Sequence, residues 1–326
     1  MIISRSPLRI TLGGGGTDLP SYYTKYGGFL IAGAINKYVY TSVSKPFFNG
    51  FHLKYNRNEK ALTIDKIKHP IIREVLNFCK FSENSLEISS FADIPAGTGL
   101  GSSGSFTTAL IKSIFAYNKQ QITQDRLAEY AALIEIDILQ EPIGKQDQYI
   151  AAYGGLTTFR FQPCGAVTAE PLQISKETIL KLENNLLLFF TGKTRSASNV
   201  LREQKIKSEI NNEDMINNLH YIKEQAINSK NALENGDLRE FAKIMNEHWK
   251  KKRERSKNIS SNKLNTLYEI GINGGALGGK IVGAGGGGFL MFYAEEKDFL
   301  RSEMKKAGLQ ELNFGFDYQG AKLIYG

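Results

Sequence analysis

The chain has 326 residues, enough for two domains and a sizeable core without covalent staples. Hydrophobic residues at 41% and charged residues at 23% exclude wholesale disorder, and two cysteines, Cys79 and Cys164, exclude a disulfide framework or a cysteine-rich zinc site. The 41 basic against 33 acidic residues leave a net charge of +8, which suits an anionic partner such as a nucleotide, a sugar phosphate or nucleic acid.

Residues 2–12, partly alternating and β-branched, predict a strand that runs into four glycines at 13–16. Strands are expected at 29–43, 51–55 and 85–90, and a Gly/Ser loop at 95–104. Phe106, Ala109, Leu110, Ser113, Ile114 and Tyr117 then recur at helical spacing. Thr123 is placed to cap a second helix that carries Leu127, Tyr130, Ala131, Ile134 and Ile138 on one face. A short helix or turn at 144–153 and strands at 156–161 and 166–171 follow, and a domain boundary is expected near 165–185. The second half should open with a strand at 186–191. Long helices should run from 196 to about 271, broken near 235–236 and 258–262. A strand–loop–strand at 280–293, a helix at 298–307 and closing strands at 313–316 and 322–325 complete the reading. The mixed order predicts an α+β fold. No apolar run approaches the length of a bilayer span, and the first residues lack the apolar core of a signal peptide, so a cytoplasmic protein is expected.

Glycine numbers 32, where an average chain of this length carries ~23. Clusters at 13–16, 97–104 and 278–288 hold much of the excess. Glycine lets backbone N–H groups approach a ligand closely. The middle cluster runs straight into an amphipathic helix, whose unpaired N–H groups and positive dipole end suit phosphate. A tight turn with a helix cap is the structural alternative. Gly192, Lys193 and Thr194 would end a Walker A loop, but Leu187 stands where its first glycine belongs. Gly99, Gly101 and Gly104, and again Gly283, Gly285 and Gly288, match the dinucleotide fingerprint. The acidic residue at the right distance, Asp125, begins a helix instead of ending a strand, which excludes a Rossmann site.

Polar residues near these loops must supply the chemistry. Asp147 sits between two glutamines beside Lys145, where it can accept a hydroxyl proton or cap a helix. Glu135 and Asp137 flank the apolar stripe of the second helix and can reach a cleft or face solvent. Arg9 lies inside an apolar strand, where a carboxylate or a phosphate should pair with it. The run Lys250, Lys251, Lys252, Arg253, Arg255 and Lys257 reads as a solvated helix face, an acceptor-phosphate site or a nucleic-acid patch. His52, His69, His220 and His248 lack metal-ligand spacing, and no G-x-S-x-G elbow is present.

Three segments together resemble the GHMP small-molecule kinases: SPLRITLGGGGTD at 6–18, PAGTGLGSSGS at 95–105 and GGKIVGAGGGGF at 278–289. Their order and separation match as well. The resemblance implies a ribosomal-protein-like N-terminal domain at 1–170 and a ferredoxin-like C-terminal domain at 171–326. It implies ATP and Mg²⁺, with Gly97, Thr98, Gly99, Leu100, Gly101, Ser102, Ser103, Gly104 and Ser105 around the triphosphate. Ser103 and Glu135 would be metal ligands, with Asp137 a second candidate. Asp147 would face the acceptor hydroxyl, Arg9 would stabilise the developing charge, and Asp18 would hold sugar hydroxyls. Gly286 and its neighbours would line the acceptor side.

Galactokinases carry Glu-His where this chain has Gly15 and Gly16 before Thr17 and Asp18, so the acceptor site should gain room. GGGTDLPSYY at 14–23, FFTGKTRSASNV at 189–200 and EHWKKKRERS at 247–256 resemble the branch that contains fucokinases and bacterial heptose 7-phosphate kinases. That branch implies phosphorylation of an anomeric hydroxyl, with D-glycero-D-manno-heptose 7-phosphate converted to the 1,7-bisphosphate for nucleotide-activated heptose. Lys193, Arg195 and Lys252 would hold the acceptor phosphate. An unphosphorylated sugar such as fucose or arabinose is the alternative acceptor. A monomer or homodimer with no nucleic-acid or membrane partner is expected. A non-catalytic nucleic-acid-binding module on the same fold is the contrasting class, against which Arg9, Asp18, Ser103, Glu135 and Asp147 stand together.

Overall fold

The computed structural model describes residues 1–194, 198–256 and 258–326, without the side chains of 198 and 199. In chain order the first half comprises β1 (Ile2–Gly13), α1 (Pro20–Tyr26), β2 (Gly28–Ser44), β3 (Gly50–Lys54), β4 (Asn58–Ala61), α2 (Pro70–Phe78), β5 (Ser85–Ala92), α3 (Ser102–Tyr117) and α4 (Gln124–Ala132). A π-helical turn at Leu133–Ile138 leads to α5 (Gln146–Tyr153), β6 (Leu156–Phe161), β7 (Val167–Pro171) and α6 (Lys176–Asn185). Then come β8 (Leu186–Phe190), α7 (Ser198–Glu209), α8 (Glu213–Glu234), α9 (Leu238–Glu254) and α10 (Asn262–Asn273). The chain continues through β9 (Gly278–Ile281), β10 (Phe289–Tyr293), α11 (Lys297–Lys306), β11 (Gln310–Leu312) and β12 (Lys322–Tyr325).

β2 organises the larger sheet because it is long enough to serve two partners on one edge. Its first half pairs with β6 and its second half with β5, while β1 pairs along its other edge. The order is β12-β1-β2-β5-β3-β4, with β6 and β7 attached through β2. Helices α3 and α5 pack on β1 and β2, so the residues at the start of both helices meet the end of β1. The smaller sheet runs β11-β8-β10-β9 and is antiparallel throughout its described pairs. With helices between β8 and β9 and between β10 and β11, this is the ferredoxin-like strand order. Its side chains alternate between two cores, as a period of two requires. Leu186, Leu188, Phe289 and Met291 join the main core, and Leu187, Phe189, Leu290 and Phe292 join a second one.

Apart from the one at 313–316, the expected strands are present, as are the helices at 102–117, 124–132 and 146–153. Thr123 caps α4, accepting from the Arg126 N–H at 3.4 Å. Four elements went unread: α1, α2, α6 and β4. The helical region also breaks at 210–212, where Asn212 caps α8. The strand expected at 313–316 lies earlier, at Gln310–Leu312, and Phe316 makes only an isolated bridge to Ile35. The range 165–185 holds β7 and α6, the smaller sheet opens with β8, and β12 returns to the larger sheet beside β1.

Candidate active site

A cleft of about 390 Å³ opens where the three glycine clusters meet. The second and third touch backbone to backbone. A Cβ on Gly99 would lie 2.8 Å from the Val282 carbonyl oxygen, and one on Gly283 would lie 2.6 Å from the Gly99 carbonyl oxygen. Both residues have positive φ, +84° and +71°, so only glycine combines this backbone with this approach. Gly101, also left-handed, begins α3 without a side-chain cap, and no acidic residue occupies the first turn. The N–H groups of that turn therefore face the cleft mouth beside Ser102 and Ser103, an arrangement suited to an anion.

Arg9 reaches the cleft from β1 and is 4% exposed. Its Nε and Nη2 donate to the two Asp147 carboxylate oxygens at 2.7 and 3.0 Å, a two-pronged ion pair. Its Nη1 donates to the Gly99 carbonyl at 2.5 Å, which ties the same guanidinium to the second glycine loop. Asp147 thus stands fixed at the start of α5. Asp18 is 3% exposed, and its two carboxylate oxygens accept from the Gly16 N–H at 3.1 Å and the Gln146 N–H at 3.2 Å. Burial raises its pKa above the ordinary value, and these N–H groups offset part of the rise. A Cβ on Gly144 would sit 2.0 Å from the Asp18 carboxylate, so that glycine makes room for it.

Glu135 is buried and lies on the π-helical turn, a distortion that recurs at functional sites. Asp137 is exposed and does not line the cleft. Burial pushes the Glu135 carboxyl up to about 7, against hydrogen bonds from Gln148, Ser103 and Thr107. Gln148 Nε2 donates to it at 2.9 Å. A buried carboxylate beside the Ser103 hydroxyl offers hard oxygen donors, and Mg²⁺ typically takes one or two carboxylates together with substrate phosphates. The donor set fits that ion.

Several expected residues serve the scaffold instead of the cleft. Thr17 is buried, with its hydroxyl 2.8 Å from the Phe29 carbonyl. Leu100 belongs to the main core, Thr98 donates to the Pro95 carbonyl at 3.1 Å, and Ser105 donates to the Pro7 carbonyl at 2.7 Å. Gly104 packs against the Asp147 backbone, and the Gly286 N–H donates to the Ile259 carbonyl at 2.7 Å. Gly15, Gly16, Gly97, Gly99 and Gly101 do line the cleft. Lys145 turns away to Glu129, at 2.8 Å. Lys193 is exposed and outside the cleft lining, and Arg195 lies outside the described residues.

The basic run divides by helical register. Lys252 lines the cleft, buried, with its ammonium on the Gly283 carbonyl. Lys250 and Lys251 face outward, against Glu247 and Glu254 at 2.6 and 3.1 Å. Arg255, which belongs to the same basic run, also lines the cleft, together with His248, Gln204 and Lys280, to which sequence reasoning gave no role there. One signal was available: His248, Lys252 and Arg255 stand at i, i+4 and i+7, one face of a helix.

His248 is held neutral. Burial drives its pKa well below the ordinary value, and Lys280, Arg255 and Lys252 push the same way. The unfolded chain gains a proton there as pH falls through about 6.5, and the native state does not. Native stability should therefore decline from pH 7 towards pH 5 at this residue. In His248→Gln, denaturant titrations across that range should show a shallower decline than in the wild type.

These parts describe a small-molecule phosphotransferase: an anion-binding helix start, a buried carboxylate for a metal, and a fixed acid next to a guanidinium. Comparison with known proteins agrees. The model for the GHMP kinases N terminal domain matches residues 67–155, and that for GHMP kinases C terminal matches residues 229–309. The chain is 30% identical to a D-glycero-alpha-D-manno-heptose 7-phosphate kinase of Campylobacter jejuni, over 98% of each chain. It superposes on a crystal structure described as a D-glycero-D-manno-heptose 1-phosphate kinase from Bacteroides thetaiotaomicron with a TM-score of 0.82 and 26% identity, covering 100% of both. A putative sugar kinase from Campylobacter jejuni gives 0.77 and 28% identity, covering 99% of this chain and 97% of that one. The chain belongs to the GHMP kinase family and is an ATP-dependent sugar kinase.

Proposed function

We propose that this kinase phosphorylates the anomeric hydroxyl of a sugar phosphate, D-glycero-D-manno-heptose 7-phosphate, to give the 1,7-bisphosphate. The observation that carries the chemistry is the Arg9–Asp147 pair, set between the Gly99 loop and the Asp18 turn. The start of α3 holds the ATP phosphates through its free N–H groups. Ser103 and Glu135 hold Mg²⁺, which neutralises phosphate charge when bound. Asp18 accepts hydrogen bonds from sugar hydroxyls. Asp147 orients the attacking hydroxyl and takes its proton, and Arg9 fixes Asp147 while its guanidinium stabilises charge on the group in transfer. Residues 1–170 form the ATP-binding domain and 171–326 the second domain, apart from β12.

No helix among the described residues is long and apolar enough to cross a membrane, and we place the enzyme in the cytoplasm as a monomer or homodimer. Support for the acceptor comes from the heptose 7-phosphate kinase that the chain matches end to end. The test is ADP release with Mg-ATP across heptose 7-phosphate, heptose, fucose, arabinose and N-acetylhexosamines. The highest kcat/KM should fall on heptose 7-phosphate. A higher value on fucose or arabinose would replace this acceptor with an unphosphorylated one.

A further inference from the structure

Arg255 is 4% exposed and lines the cleft. Its Nε donates to Asn218 Oδ1 at 2.7 Å and its Nη1 to the Gly15 carbonyl at 3.0 Å. Its Nη2 is buried without a hydrogen-bond partner among the described residues. A buried donor left unmade is costly, and guanidinium donors are charged. Neither Arg255 nor Lys280 forms an ion pair among the described residues. Lys280 is 3% exposed and donates to the Leu12 carbonyl at 3.0 Å, a neutral acceptor. The nearby carboxylate, Asp18, already accepts two backbone N–H groups. Burial pushes Arg255 down to about 10 and Lys280 down to about 7, each aided or opposed by charges in the same cleft. Arg255 and Lys280 are thus buried basic groups without a salt-bridged carboxylate among the described residues, a setting that a bound anion would complement.

We propose that Arg255, with Lys280 beside it, seats the phosphate group of the acceptor sugar. This rests on the reading above that the acceptor is phosphorylated. The Gly15–Gly16 turn fixes the place. A Cβ on Gly16 would lie 2.7 Å from both Arg255 Nη1 and Gln204 Nε2, so any side chain there would displace the guanidinium. The room that the missing Glu-His pair leaves is thus filled by a cation. Asp18 follows in the same turn and faces the sugar, which sets Arg255 next to the acceptor. The ATP phosphates belong to the start of α3, where the open N–H groups lie. The bare Nη2 carries two charged N–H donors, which suit phosphate oxygens.

The experiment compares kcat/KM for heptose 7-phosphate with kcat/KM for the unphosphorylated heptose, in the wild type and in Arg255→Met. The wild-type ratio should be large, and the variant should lower it roughly 10- to 100-fold, the effect of a lost charged hydrogen bond. A role in folding alone would depress both values together and leave the ratio intact, and that result would overturn the assignment. A wild-type ratio near one would instead defeat the reading that the acceptor carries a phosphate. If Arg255→Met does not fold, Arg255→Lys and Lys280→Met carry the same comparison. Wild-type ratios in both would likewise overturn it.

Discussion

Asp147→Asn is expected to lower kcat by roughly 10²- to 10⁴-fold, the usual cost of losing a general base. Two effects combine. The amide cannot take the hydroxyl proton, and its NH₂ group turns one prong of the Arg9 fork from attraction to repulsion. Arg9 keeps its bond to the Gly99 carbonyl, so the nucleotide loop should hold. ATP affinity, read by titration with a fluorescent nucleotide, should therefore stay within a few-fold of the wild type. Removing one partner of a fully buried pair costs ~3–5 kcal/mol. Asp147 is 22% exposed, so the stability loss should be smaller than that. Near-normal turnover in the variant would remove Asp147 from the proposed mechanism.

Gly288→Ala should cost roughly 2–4 kcal/mol in denaturant titrations. Its φ is +88°, and an added Cβ would lie 2.1 Å from the Thr98 carbonyl oxygen. That atom belongs to rigid backbone and cannot swing aside. The same residue donates to Lys193 and accepts from Thr191 at 2.8 and 2.9 Å, so it cannot retreat without breaking those bonds. Gly308→Ala provides the comparison, because Gly308 has φ +78° and open space around it. It should lose only the ~1–2 kcal/mol of a left-handed backbone. Equal losses in the two variants would mean that the Thr98 contact relaxes freely.

β1 was legible from its β-branched, partly alternating residues, and β5 from Leu86 and Ile88 on one face. α4 was legible because Thr123 announces it. β4 was not, since Asn58–Ala61 is a polar edge strand without a hydrophobic period. α1 begins after Leu19, which offers no side-chain cap, and spans only 7 residues. In the site, Arg9 could be read because a charge inside an apolar strand demands a partner. The choice between Glu135 and Asp137 could not, because the π-helical turn shifts the register on which a 3.6-residue period relies. Lys145 looked like a neighbour of Asp147, yet its partner, Glu129, lies 16 positions back. Arg255, Lys280 and Gln204 come from three separated segments, and only the tertiary fold sets them in one cleft.

β12 lies against β1, pairing Ile3 with Tyr325 and Arg5 with Lys322. β1 is also the strand that delivers Arg9. During synthesis, residues 322–325 leave the ribosome long after residues 2–13, so the nascent chain carries β1 with one edge open. An open edge is a template for unwanted pairing, and the closing contact has high sequence separation, which slows its formation. The first residues of the strand that delivers Arg9 therefore wait for β12 before that stretch of edge is sealed, whereas Arg9 itself is met by the Leu100 carbonyl.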